Sequence, residues 1–307
     1  MLRLSLHSFR SFLPAGFFFL LGAWQGMATA QTLYWDVNGY VPGAGGSQPG
    51  EIWNLTSGFW NNAAGDGSPL AWDNSGLATA VFAAGADATG GYSVTLGAGG
   101  SLFLSGLTVN VGNLTLASLT LADGLDFGTA AAALNVAQGA SLNLQAPLSG
   151  SGGLVKTGAG GAVLSGGLFP AGAYVGQAGE LRIGDGQTLN GGSLTLGGSA
   201  GQAAVLTLGG GAVFNLGGGL TFSNVGTPQA GLVQGGTLNL NGSRTLTIQN
   251  IAADPDLVIA SVIADGSTSS GLIKAGAGTL LLTGGNLYTG ATTVNAASGG
   301  LWIQGNQ

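Results

Sequence analysis

From about Gly91 to the end, the chain repeats one pattern: an apolar, polar, apolar triplet, then Gly and small residues, then another triplet. Leu114 and Leu116 flank Thr115, Leu119 and Leu121 flank Thr120, Leu134 and Val136 flank Asn135, and Leu142 and Leu144 flank Asn143. The arrangement returns at Leu194–Leu196, Leu206–Leu208, Leu220–Phe222, Leu238–Leu240 and Leu246–Ile248, and at Leu280–Leu282 with an apolar middle residue. Alternation with period two puts Leu, Val and Ile on one face of an extended chain and Thr or Asn on the other. These are strands of about three to five residues. The glycines between them, such as Gly197–Gly198, Gly209–Gly211 and Gly217–Gly219, supply open or left-handed backbone at tight corners and disfavour helix.

Many short strands joined by glycine corners suit a sandwich, a barrel or a solenoid, and internal repetition decides among them. The stretch Gly153–Gly167, GLVKTGAGGAVLSGG, matches Gly271–Gly285, GLIKAGAGTLLLTGG, at a constant offset of 118, with Lys156 over Lys274 and Leu164 over Leu282. A sandwich has no reason to reuse such a unit. In a parallel solenoid it follows naturally, because each coil stacks on the last, inward Leu and Val form columns, and outward Asn and Thr form ladders. The expected fold is therefore all-β, a right-handed parallel β-helix. At roughly 20 to 25 residues per coil, residues 91 to 307 hold about nine coils, a rod of roughly 40 Å.

Composition sharpens this picture. Of 307 residues, 62 are glycine and 8 proline, with no collagen-like period, while 45% are hydrophobic and mean hydropathy is +0.42. Such a chain buries a core rather than staying disordered. Only 6% of residues are charged, so the solvent face is built from Thr, Asn, Ser and Gln, as on a sheet surface. Cysteine is absent and His7 is the single histidine, which excludes disulfides, thiol chemistry and Cys/His metal sites.

Residues 1 to 30 read as a cleavable secretory signal, with Arg3 and Arg10 as a basic start, Phe12 to Trp24 as an apolar core, and Ala28, Thr29 and Ala30 as a small-residue cleavage box. The core is shorter than the roughly 20 residues that span a bilayer, so no membrane insertion of the mature chain is expected. Removing the signal leaves Lys156, Arg182, Arg244 and Lys274 against twelve acids, a net charge of −8. Scattered cations on an acidic chain exclude nucleic-acid and anionic-lipid partners.

The segment Gly271–Ile303 resembles the autotransporter-associated β-strand repeat, also called the passenger-associated transport repeat. The residues that carry the resemblance are Lys274, Gly276, Gly278, Thr279, Leu280, Leu282, Gly284, Asn286, Tyr288, Thr289, Gly290, Thr292, Val294 and Asn295. A second copy over 153–183 degenerates after Gly167, where Phe169 and Tyr174 stand near the expected aromatic. The resemblance implies a right-handed β-helix in the exported passenger part of a Gram-negative secreted or cell-surface protein, here without the C-terminal membrane barrel of full autotransporters. The repeat residues are expected to be structural, and surface glycans, or the surfaces of host or neighbouring cells, are the expected partners. Tyr288 is expected to cover the edge of its coil.

Four of the five tryptophans beyond residue 30, Trp35, Trp53, Trp60 and Trp72, crowd a distinct segment, 31–90, with Tyr34, Tyr40 and Phe59. Their first reading is an N-terminal cap over the exposed end of the solenoid. Their second is a glycan-stacking platform, with Asn54, Asn61, Asn62 and Asp73 as hydroxyl partners. Asp36, Asn38 and Gly39 open like a calcium loop but lack its later ligands, so a turn is expected. Matches to Gly-x-Gly-x-x-Gly carry no information at this glycine content, and Lys156–Thr157 lacks the glycine that precedes the lysine of a phosphate loop. Asp123 with Asp126, and Asp254 with Asp256, are the carboxylate pairs a polysaccharide lyase or hydrolase would need, and both read as solvated turns. No enzyme activity, cofactor or metal is expected.

Overall fold

The structure is a computed structural model that describes residues 30–198, 202–224 and 229–305. The segment expected to be a secretory signal, residues 1–30, lies outside the described residues apart from Ala30. The described residues are all-β, with 28 strands and no helix. No helix is therefore long and apolar enough to cross a membrane.

Each coil of the rod lays one short strand on a first sheet and the next on a second. The first sheet has twelve strands and the second thirteen. Every strand pairing is parallel except that of Trp60–Asn61 with Thr32–Trp35 at the N-terminal edge of the first sheet. Nine strands of the first sheet, from Gly106–Val109 to Thr292–Val294, mark the nine coils expected beyond residue 91. Coil length varies more than expected: Tyr174 pairs with Leu194, 20 positions on, and Leu246 with Lys274, 28 positions on.

Period-two alternation explains the core. In the second sheet Leu114, Leu142, Ala162, Leu181, Leu206, Val233, Ile259 and Leu282 stand in one inward column, all buried, each in register with the next. The outward neighbours Thr115, Asn143, Val163 and Arg182 form a parallel column facing water, which continues to Thr207, buried under Gln234, whose Nε2 donates to the Thr207 hydroxyl. One residue of slip would exchange the two columns, so the pattern fixes the register.

A third face closes many coils. It begins as a small parallel sheet of Ser101–Phe103, Gly124–Asp126 and Leu148–Ser149. It resumes with Thr188–Gly191, where the strands Ala204–Leu216 and Gly231–Asn239 run round the corner from the second sheet, and ends at Val262–Ala264. Strands on this face are absent from the coils that carry Leu168 and Leu287.

The ladder does not stop at residue 91. Thr32–Trp35 pairs in parallel with Thr79–Phe82, which pairs with Gly106–Val109, and Ile52–Trp53 pairs with Gly91–Leu96. Segment 31–90 is thus continuous with the solenoid. Its strands were inconspicuous because long loops, rather than glycine corners and triplets, separate them.

Candidate functional site

The transport-repeat segment is the part of the chain whose residues were singled out in advance, and its centre is a buried lysine. Lys274 follows Leu272 on the strand Leu272–Ala275, so alternation turns it inward, and it is fully buried. Its ammonium donates to the carbonyls of Ala275, at 3.0 Å, and Gly276, at 2.8 Å. Burial lowers its pKa, partly offset by the charge of Asp256. Lys156 repeats the arrangement 118 residues earlier and more completely. Its ammonium donates to Gly158 O at 2.6 Å, to Gly160 O, and to Ala178 O of the next coil at 2.9 Å.

The lysine thus binds carbonyls of a glycine corner, of which Gly276 O also accepts from Gly299 N of the next coil at 3.0 Å. The corner itself needs glycine at Gly158 and Gly276. Both have positive φ, and a Cβ on either would run into a carbonyl of the preceding coil, Val136 O or Ile248 O. Gly278 packs against Gln249 O and the Asp256 carboxylate.

The second half of the repeat ties its coil to the one before. Asn286 is buried, and its side-chain carbonyl accepts from Ile263 N at 3.2 Å, replacing a strand residue on the third face. Thr289 donates through its amide and its hydroxyl to the two carboxylate oxygens of Asp265, at 2.9 and 2.8 Å. Gly290 N donates to Ser270 O at 2.8 Å. The half-buried Tyr288 packs its ring against the core, with its hydroxyl 2.6 Å from Thr292 Oγ1. In the degenerate copy Tyr174 occupies the position of Thr292 and its hydroxyl donates to Pro170 O at 2.7 Å, so the same interval is bridged from the other end.

Asp265 was not picked out from sequence, since it lies 24 positions from Thr289. Hydrogen bonds from the Thr289 amide, and then from the Thr289 hydroxyl and Ser270 amide, outweigh burial and hold its carboxyl below the ordinary aspartate value of 3.8. A depressed carboxylate stabilises the fold above its unfolded pKa, and that contribution is lost as pH falls through the folded value. The Thr289 amide is therefore expected to be protected from hydrogen exchange at neutral pH and to lose its protection factor in acid before amides of Leu272–Ala275. Simultaneous loss in both segments would show that Asp265 does not hold this coil.

The other candidates are placed differently. Trp35, Trp53, Trp60 and Trp72 are all buried, at most 4% exposed; Trp53 and Trp60 pack edge to face with Phe82, Trp35 lies tilted against Phe59 and Phe82, and Trp72 packs on Trp53 and Trp60. This corrects the glycan-platform reading, because no indole face is open to a sugar. The rings fill the core of the N-terminal coils. Trp35 Nε1 donates to Pro49 O at 2.7 Å and Trp72 Nε1 to Phe103 O at 3.2 Å.

The carboxylates cap turns. Asp36 accepts from the amides of Asn38 and Gly39 and from Asn61 Nδ2. Buried Asp123 accepts from Gly99 N, Thr120 N and Thr120 Oγ1, while Asp126 accepts from Gly128 N. Burial alone would raise the Asp123 carboxyl, but the Thr120 hydroxyl and the backbone amides hold it below 3.8. Asp256 accepts from Ile251 N and Thr279 N at 2.6 Å each, and Asp254 stands exposed beside it in sequence.

Comparison with known proteins agrees with this geometry. Residues 272–298 match the family model described as the passenger-associated-transport-repeat. The chain is 33% identical over 138 residues to the adhesin BmaC autotransporter of Brucella suis biovar 1 (strain 1330), an alignment covering 44% of this chain. It spans 4% of that relative's length. No solved structure matches. A parallel solenoid whose repeat residues close its corners, together with these matches, shows a chain that carries a passenger-associated transport repeat and is similar to part of an autotransporter.

Proposed function

We propose that the chain is an exported, non-enzymatic rod at the surface of a Gram-negative bacterium, or released from it, with a structural or adhesive role. The observation that carries this reading is the transport repeat, whose conspicuous residues, Lys274, Gly276 and Thr289 among them, spend their polar groups on closing and joining coils. The name of the Brucella relative, an adhesin, supports the adhesive part. The rival reading, a polysaccharide-active enzyme, needs carboxylates converging on a groove. Asp123 and Asp256 are instead engaged by backbone amides.

The test uses the native bacterium and antibody to the purified chain. Intact cells or culture supernatant should carry the antigen, external protease should remove the cell-bound form, and a deletion strain should adhere less. Label that appears only after permeabilisation would overturn the location. Release of reducing or unsaturated ends from a polysaccharide panel, abolished by Asp123→Ala or Asp254→Ala, would overturn the non-enzymatic role.

A further inference from the structure

On the third face, between the two copies of the repeat, the outward position is Asn at three successive coils. Asn190 is in register with Asn215, and Asn215 with Asn239. Their amides stack head to tail, Asn215 Nδ2 donating to Asn190 Oδ1 at 2.7 Å and Asn239 Nδ2 to Asn215 Oδ1 at 2.8 Å. The next residue in the column is Ala264, and its short side chain leaves a depression. The turn at Asp265–Ser267 flanks it, and Leu287 closes its far end. Together they form an open groove of about 640 Å³. A smaller recess of about 220 Å³ shares Asn190 and continues to Leu168 and Phe169. From Leu168 to Leu287 the path crosses five coil steps, ~24 Å along the rod axis.

The chemistry of this path is specific. Asn239 keeps one N–H and its carbonyl oxygen for a ligand, while Asn215, whose oxygen accepts from both Asn239 Nδ2 and Asn241 Nδ2, the latter at 3.4 Å, keeps one N–H. Asn190, exposed at the start of the ladder, donates neither N–H to another described residue. Neutral N–H donors therefore recur at a step of ~4.8 Å, close to the length of one sugar unit in an extended chain, with acceptor capacity left on the amide oxygens of Asn190 and Asn239. Asp265 is the one charged residue lining the groove, so phosphate- and carboxylate-bearing chains are repelled. Leu168 and Leu287, 63% and 68% exposed, offer an apolar surface at each end, suited to the C–H face of a pyranose ring.

We propose that this face binds an extended, neutral oligosaccharide running along the rod axis. The Asn190, Asn215 and Asn239 amides bind hydroxyls of successive units, and Leu168 and Leu287 pack on ring faces. The proposal deepens the adhesive reading above and rests on it for the protein's location.

Affinity electrophoresis of the full chain in native gels containing laminarin, mannan or dextran tests it, with alginate as the acidic polymer. At least one neutral polymer should retard the protein, and alginate should not. Asn190→Ala and Asn215→Thr should each weaken the retardation about tenfold, while Thr221→Ala on the first sheet leaves it unchanged. Asn190→Ala changes an exposed side chain, so it still reads the groove if Asn215→Thr fails to fold. No retardation by any neutral polymer, equal retardation by alginate, or retardation indifferent to Asn190→Ala would overturn the proposal. Cells that display the chain and adhere equally well with Asn190→Ala would sink the groove and leave the surface rod standing.

Discussion

Replacing Lys156 by Met should destabilise the solenoid by about 3 kcal/mol, although it removes a buried charge. Two effects oppose each other. Burial pulls the Lys156 ammonium from 10.5 down to about 8, partly offset by Glu180, which corresponds to at most about 3 kcal/mol of strain on the charged form. Methionine has nearly the same shape and relieves that strain. It also strands the carbonyls of Gly158, Gly160 and Ala178, each at about 1–3 kcal/mol when buried and unpaired, on top of losing charge-assisted bonds. The polar loss is the larger.

Urea unfolding should show a lower midpoint for Lys156→Met and a smaller drop for Lys274→Met, whose ammonium serves two carbonyls. The pH dependence gives an independent reading. The folded pKa of Lys156 lies below the unfolded one, so the unfolded chain binds more protons between about 8 and 10.5, and stability contributed by this group rises with pH across that window. The difference between wild type and Lys156→Met should grow there. A Met variant as stable as wild type, with the same pH profile, would mean that the lysine does not hold the corner.

Trp60→Ala should cost about 3–5 kcal/mol, the range for deleting a large buried aromatic side chain. Trp60 is the hub of the aromatic cluster: its ring centroid lies 4.6 Å from Trp72, 4.8 Å from Trp53, 5.3 Å from Trp35 and 5.6 Å from Phe82. It also sits on the antiparallel strand at the edge of the first sheet, so its loss opens a cavity where, among the described residues, no further coil is packed. Damage should stay near that end, since a solenoid couples each coil chiefly to its neighbours. Near-UV circular dichroism should collapse and hydrogen exchange should quicken across residues 32–96. Strands beyond Ala204 should keep their protection. An unchanged near-UV spectrum and urea midpoint would show that the cluster is dispensable.

Much of this architecture is legible in the amino-acid order, for a physical reason. Each Leu-x-Leu triplet reports which face is buried without any long-range information, and the 118-residue echo reports stacking. Even the inward lysines are marked, since Leu154 and Lys156 share parity, as do Leu272 and Lys274. What escapes local reading depends on three-dimensional register. Asp265 meets Thr289 only because one coil separates them. The Asn ladder assembles at intervals of 25 and then 24 residues, within coils of 20 to 28, so no fixed period reveals it. The tryptophans were ambiguous because an indole suits a buried core and a sugar face equally well; only packing distinguishes them.

Pulled from its ends, a rod wound this way lengthens in discrete steps. A coil of 20 to 28 residues that peels away gives up a rise of ~4.8 Å and releases roughly 70 to 100 Å of extended chain. Neighbouring coils keep their own pairings, so slack is paid out one turn at a time instead of in a single rupture. In the adhesive role proposed above, tension on a held cell would be relieved by extension before the attachment is loaded to failure.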